Sequence, residues 1–185
     1  MIHFSDTISI AKDPAAMAAR LIATAEELEH LEQARPLLLV LFSQRTIVFR
    51  GGTCAAVIIQ PRWQGPLGMV AEFLLAQLGQ PVLEGNDPEF VILVDHAIWS
   101  GLDAERRERL MFHELMHLQP MENEWGVIRR SKETGKPLLK LVPHDIELFA
   151  AELVRYGVAA CDADHVPKAI IEGEARRKRR GLRIA

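Results

Sequence analysis

His113, Glu114 and His117 stand in the pattern His-Glu-x-x-His. On an α-helix of ~3.6 residues per turn, two histidines four apart share one face. Imidazoles so placed can bind one Zn²⁺ together at ~2.0–2.1 Å. Glu114, one residue along, then stands beside the ion rather than on it. From there its carboxylate can take a proton from a metal-activated water and deliver it to a leaving amine. At this composition, with 7 histidines in 185 residues, the pattern arises by chance about 2% of the time. The bland alternative is a solvated helix face. Leu110, Met111, Phe112, Leu115, Met116 and Leu118 argue against it, because they make the helix apolar nearly all round and predict its burial. Buried histidines and a buried glutamate need partners, and a metal is the simplest one.

A catalytic zinc usually has three protein ligands and one open position. A metzincin continuation would need Gly at 120 and His at 123, where this chain has Pro120 and Asn123. The third ligand must therefore come from further along. His144 is the best placed, at the start of a helix that follows a returning hairpin. Asp145, Glu147 and Glu152 are alternatives, with Asp145 better suited to accept an imidazole N–H or to cap the helix. His165 is a weaker choice. His96 and His30 read as structural or surface histidines. Tyr156, the only tyrosine, is a candidate oxyanion donor or a core residue.

The elements that must position these residues can be taken in order. Asp13-Pro14 opens an amphipathic helix with Met17, Leu21, Ala25, Leu28 and Leu31 on its apolar stripe, ending before Pro36. Leu37 to Phe42, Thr46 to Phe49 and Cys54 to Ile59 read as strands, with Gly51-Gly52 as a hairpin signal. Trp63 sits in a Pro/Gly loop and reads as a core cap. Met69 to Leu78 fits a short helix, and Phe90 to Val94 a buried strand. Ser100 and Asp103 resemble a capping box for a motif helix running to Gln119, where Pro120 stops it. Trp125 to Arg130 and Pro137 to Val142 form a second hairpin that brings the chain back toward the metal. Pro143-His144-Asp145 then opens a helix with Ile146, Phe149, Ala150, Leu153 and Val154 as its core stripe.

Composition bounds the rest. A 185-residue chain with a formal net charge of −3 fits one domain with a sizeable core. We expect that domain over residues 1–160, and a C-terminal extension over 161–185. Cys54 and Cys161 form neither a disulfide framework nor a zinc ribbon, which suits a reducing, cytoplasmic setting. The N-terminus lacks signal-peptide features, and no apolar run is long enough for a membrane span. Arg176, Arg177, Lys178, Arg179, Arg180 and Arg183 make a basic tail. It is a solvated end or a weak nucleic-acid contact through phosphates.

The order of elements, with His-Glu-Leu-x-His, then His144-Asp145-Ile146-Glu147-Leu148-Phe149 and Arg155-Tyr156-Gly157, resembles the phage-type metallopeptidases. These are zincin-like HExxH proteases. More loosely the chain is similar to minigluzincins and SprT-like proteases, although it has no SprT-like zinc ribbon. The resemblance implies a single α+β zincin-like domain. It comprises an N-terminal helix, a small, mostly antiparallel sheet, a buried HExxH helix and a following helix that brings the third ligand. It also implies zinc on His113, His117 and His144, with Glu114 as base. The leading expectation is thus a zinc peptidase acting on peptides or proteins, its substrate extended along an edge strand. The rival is a non-enzymatic zinc-containing module that uses its basic tail for nucleic acid.

Overall fold

The computed structural model of the chain describes residues 7–49, 52–61, 65–143, 152, 155 and 156. Expectations for Trp63, His144, Asp145, Glu147, His165, the basic tail and the boundary at 160 fall outside these residues. Among the described residues the main sheet has four strands in the order β1-β2-β6-β5. They are β1 (Ile8–Ile10), β2 (Leu38–Ser43), β6 (Phe90–Asp95) and β5 (Ala56–Ile59). β2 and β6 run parallel, in register from Leu38 opposite Phe90 to Ser43 opposite Asp95. β1 and β5 add antiparallel on the two sides. The α+β architecture and the mostly antiparallel pairing are as expected.

β2 and β6 are continuous apolar runs because both of their faces are covered. On one face, Val40, Ala56, Ile58, Phe90, Ile92 and Val94 pack under α1 (Lys12–Thr24) and α5 (Ala104–Met116). α5 contributes Met111, Phe112 and Leu115, all fully buried. On the other face, Leu39, Leu41 and Val91 meet Leu75 and Leu78 of α3 (Gly65–Gly79). The smaller pieces are the hairpin of β3 (Ile47–Phe49) with β4 (Gly52–Cys54), and the pair β7 (Leu118–Pro120) with β8 (Leu139–Leu141).

Four local readings change. The N-terminal helix is not one piece: Ala25 is extended at φ −92°, ψ 120°. A 3₁₀ turn (Glu26–Leu28) and α2 (Glu29–Ala34) follow it, so Ala25, Leu28 and Leu31 stay buried by tertiary packing rather than by one helical stripe. Second, α4 (His96–Gly101) intervenes before the motif helix, capped by Asp95, whose Oδ1 accepts from Ile98 N at 3.0 Å. Third, Ser100 is no cap. Its hydroxyl donates to His96 O at 2.7 Å, and Asp103 caps α5 by accepting from Arg106 N at 2.8 Å.

Fourth, α5 ends at Met116 rather than at Gln119. Leu118–Pro120 pairs with Leu139–Leu141 instead, and Val142 N donates to His117 O at 2.9 Å. Sheet pairing competes with the last helical turn and takes it. The expected hairpin survives in part as the bridge between Arg130 and Pro137. His30 is not a plain surface residue. Its ring Nε2 donates to Leu118 O at 2.6 Å and pins α2 to β7.

Candidate metal centre

The last turns of α5 bring the motif to the sheet. Met111, Phe112 and Leu115 anchor the helix in the core, and this rotates His113, Glu114 and His117 toward the side where β5 and β8 approach. The imidazoles of His113 and His117 lie with ring centroids 5.2 Å apart, at 83° to one another. Each ring spends its Nδ1 on a protein acceptor. His113 Nδ1 donates to Glu152 Oε2 at 2.7 Å, and His117 Nδ1 donates to Val142 O at 2.6 Å. That is the outer hydrogen bonding a metal-binding imidazole needs, because it fixes the tautomer and aims Nε2.

The electrostatics are those of a desolvated cluster. Burial pulls the His113 pKa down, but the hydrogen bond and charge of Glu152, helped by Glu114, outweigh it and raise the pKa above the usual 6.5. Glu114 is 4% exposed. Burial pushes its carboxyl up to about 7, against the opposing pull of His113 and of a hydrogen bond from the Ile58 backbone. A cation beside it would favour its charged form again.

Glu152, weighed as an alternative metal ligand, instead occupies the Nδ1 side of the His113 ring, opposite Nε2. There it orients the ring. It is 1% exposed, whereas the sequence favours Asp145 as the imidazole acceptor. Its signal was an acid directly before Leu153 and Val154 of the apolar stripe. The Val142 carbonyl carried no signal, being backbone. Arg155 and Tyr156 fasten this segment to α5. Arg155 pairs with Glu27 at 3.2 Å and with Glu108 at 3.9 Å, and lies over the Phe112 ring at 5.1 Å. The Tyr156 hydroxyl donates to Glu108 Oε1 at 3.3 Å and its ring packs edge-on to Phe112, so it serves as a core tyrosine. Burial and the charge of Glu108 push its pKa up to about 12. His96 is exposed and packs edge-on to Phe42 at 4.9 Å.

Among the described residues no group of three His, Cys, Asp or Glu side chains is assembled around one point. The two imidazoles fit a divalent ion of borderline softness such as zinc. The site is thus a helical histidine pair beside a buried carboxylate, set in an α+β domain. A family profile described as "Putative phage metallopeptidase" matches residues 7–171, and the chain belongs to that family. The description is that of metal-dependent peptidases. No curated protein and no solved structure matches the chain. No helix among the described residues is long and apolar enough to cross a membrane.

Proposed function

We propose that the chain is a zinc-dependent metallopeptidase that hydrolyses peptide bonds, with His113, His117 and His144 as metal ligands and Glu114 as general base. The observation that carries this reading is the engagement of both Nδ1 atoms by Glu152 and Val142, which turns two Nε2 atoms to ligation. His144 is supported by the path of the chain. Val142 bonds His117 through ring and backbone alike, and two residues of extended chain reach at most ~7 Å. Asp145 fits a further acceptor or helix cap beside that ligand.

When bound, zinc would polarise the scissile carbonyl and acidify a water. Glu114 would take that water's proton on its carboxylate and later return it to the leaving amine. A cation beside Glu114 would favour the charged carboxylate over the raised pKa of the metal-free chain, and the charged form is the one that can accept the proton. Glu114 is 4% exposed and held by the Ile58 backbone, which limits the access of bulk water to this transfer.

The substrate would lie on β5. Asp95 N donates to Ala55 O at 2.8 Å. By the alternation of an antiparallel pair, Val57 and Ile59 then bond inward to β6, while the backbone groups of Ala56 and Ile58 point outward. Among the described residues no strand pairs with that outer edge. Ile58 N–H is engaged by Glu114, and the outward groups on either side of it offer an edge to an extended peptide by strand addition.

Metal analysis of purified protein, paired with a peptide-library digest, tests the reading. We expect about one zinc per chain, and cleavage that Glu114→Gln lowers by orders of magnitude while metal content stays. A folded, unchelated preparation without transition metal, or wild-type cleavage by the variant, overturns it.

A further inference from the structure

α3 buries Leu75 and Leu78 against the sheet, yet it leaves large apolar side chains in water. Met69 is 71% exposed and Phe73 is 63% exposed. With Glu72 and Ala76 they recur at three- and four-residue steps, and so form one stripe along the helix. This stripe lines a groove of about 550 Å³, whose opposite wall is Pro61, Asp87 and Pro88. Exposed apolar surface of this kind marks an interaction site. Two acidic residues, Glu72 and Asp87, face the same groove, and neither forms an ion pair among the described residues.

The groove continues the edge where the substrate is proposed to lie. Pro61 is two residues beyond the end of β5. Ile58, whose backbone N–H reaches Glu114, marks the level of the reacting bond on that edge. Three residues of extended chain separate Ile58 from Pro61, a distance of about 10 Å. A peptide pairing antiparallel with β5 runs its N-terminal side toward Pro61. Its alternate side chains fall on the face of the sheet that α3 covers.

We propose that this groove is the subsite for substrate residues two to four positions N-terminal to the scissile bond, and that it selects a lysine or arginine there. The inference rests on the peptidase reading above. A long basic side chain fits both features of the groove at once. Its aliphatic stem lies on Met69 and Phe73, and its charged end reaches Glu72 and Asp87. An arginine gains further from the face of the Phe73 ring. A short or acidic side chain meets neither need.

The test uses the full-length, metal-loaded chain and a proteome-derived peptide library produced by cleavage after glutamate, so that lysine and arginine remain internal. Lysine and arginine should be enriched two to four positions upstream of the cut. Two peptides differing only by Lys or Glu at the enriched position then give a ratio of kcat/KM. Reversing both charges, Glu72→Lys with Asp87→Lys, should lower that ratio by roughly tenfold or more. Binding of the same two peptides to Glu114→Gln, read by fluorescence anisotropy, should show the same preference without turnover. No upstream enrichment, enrichment only on the C-terminal side, or a ratio unmoved by the double reversal overturns the subsite and leaves the peptidase reading standing. A wild-type digest indistinguishable from that of Glu114→Gln overturns the peptidase reading itself, and the subsite with it.

Discussion

Glu152→Ala tests the orienting role read from the His113 contact. The carboxylate is 1% exposed, and His113 is 17% exposed at the side chain. Removing one partner of a buried ion pair costs ~3–5 kcal/mol, and the partial exposure of His113 places this case near ~3 kcal/mol in the metal-free chain. The pH dependence follows from the raised pKa of His113. A histidine whose folded pKa lies above its unfolded value contributes stability that is fully present below about 6.5 and fades as pH rises through the folded pKa. The difference in melting temperature between wild type and Glu152→Ala should therefore be widest near pH 6 and narrower near pH 9, as read by thermal unfolding in chelator. Zinc affinity, measured by competition with a chelating dye, should fall ~10–100-fold, the usual cost of losing an orienting acceptor. Glu152→Gln keeps an oxygen acceptor but no charge, and should lose less on both measures. If both variants bind no zinc at all, Glu152 is itself a ligand. If Glu152→Ala binds zinc as wild type does, the contact orients nothing. Either result refutes the reasoning.

Three further outcomes follow. Glu114 costs stability when charged: its pKa rises from 4.5 unfolded to about 7 folded, so stability falls as pH climbs through that window. Metal-free Glu114→Gln should therefore be more stable than wild type by about 3 kcal/mol at pH 8, a gap that closes toward pH 4.5, and a gap that does not narrow would contradict the burial argument. His144→Ala should cost far more zinc affinity than His165→Ala or His96→Ala; equal losses, or a metal-bound structure with a downstream carboxylate in place of His144, would remove it from the site. Deleting residues 175–185 should abolish low-salt retention on DNA, because that stretch carries six cations, and equal retention with and without it would leave the tail as a solvated end.

The candidate site was legible where side-chain type and helical spacing alone place residues side by side. The His113–His117 pair needs only the four-residue step, and Glu114 only its adjacency. The core strands were legible too, since Val91, Ile92 and Val94 are apolar whichever face they serve. The failures share one cause: local signals lost to tertiary pairing. Leu118 and Gln119 continue a helical pattern in sequence, but β8 offers backbone partners that the helix end cannot. Ser100 and Asp103 look like one capping box, but a separate short helix takes in Ser100 and leaves Asp103 to cap α5 alone. Ala25 sits on a helical stripe, yet the chain turns there so that Leu28 and Leu31 can reach the core.

That early end of α5 is what lets the centre be built from both sides. Had the helix run on to Gln119, Leu118–Pro120 could not have paired with β8, the pairing that brings Val142 N to the His117 carbonyl. Ending at Met116 instead, the chain offers this carbonyl to Val142 N, while the ring of the same residue donates back to Val142 O. Ten residues later Glu152 takes the ring of His113. The segment from 142 to 152 is thus tied at its two ends to the two imidazoles, one by backbone and one by a buried carboxylate. Arg155 and Tyr156 hold the second tie against α5 through Glu108. Position 144 follows the first tie by two residues, at most ~7 Å of extended chain, and on this ground His144 is proposed as third donor over more distant candidates such as His165.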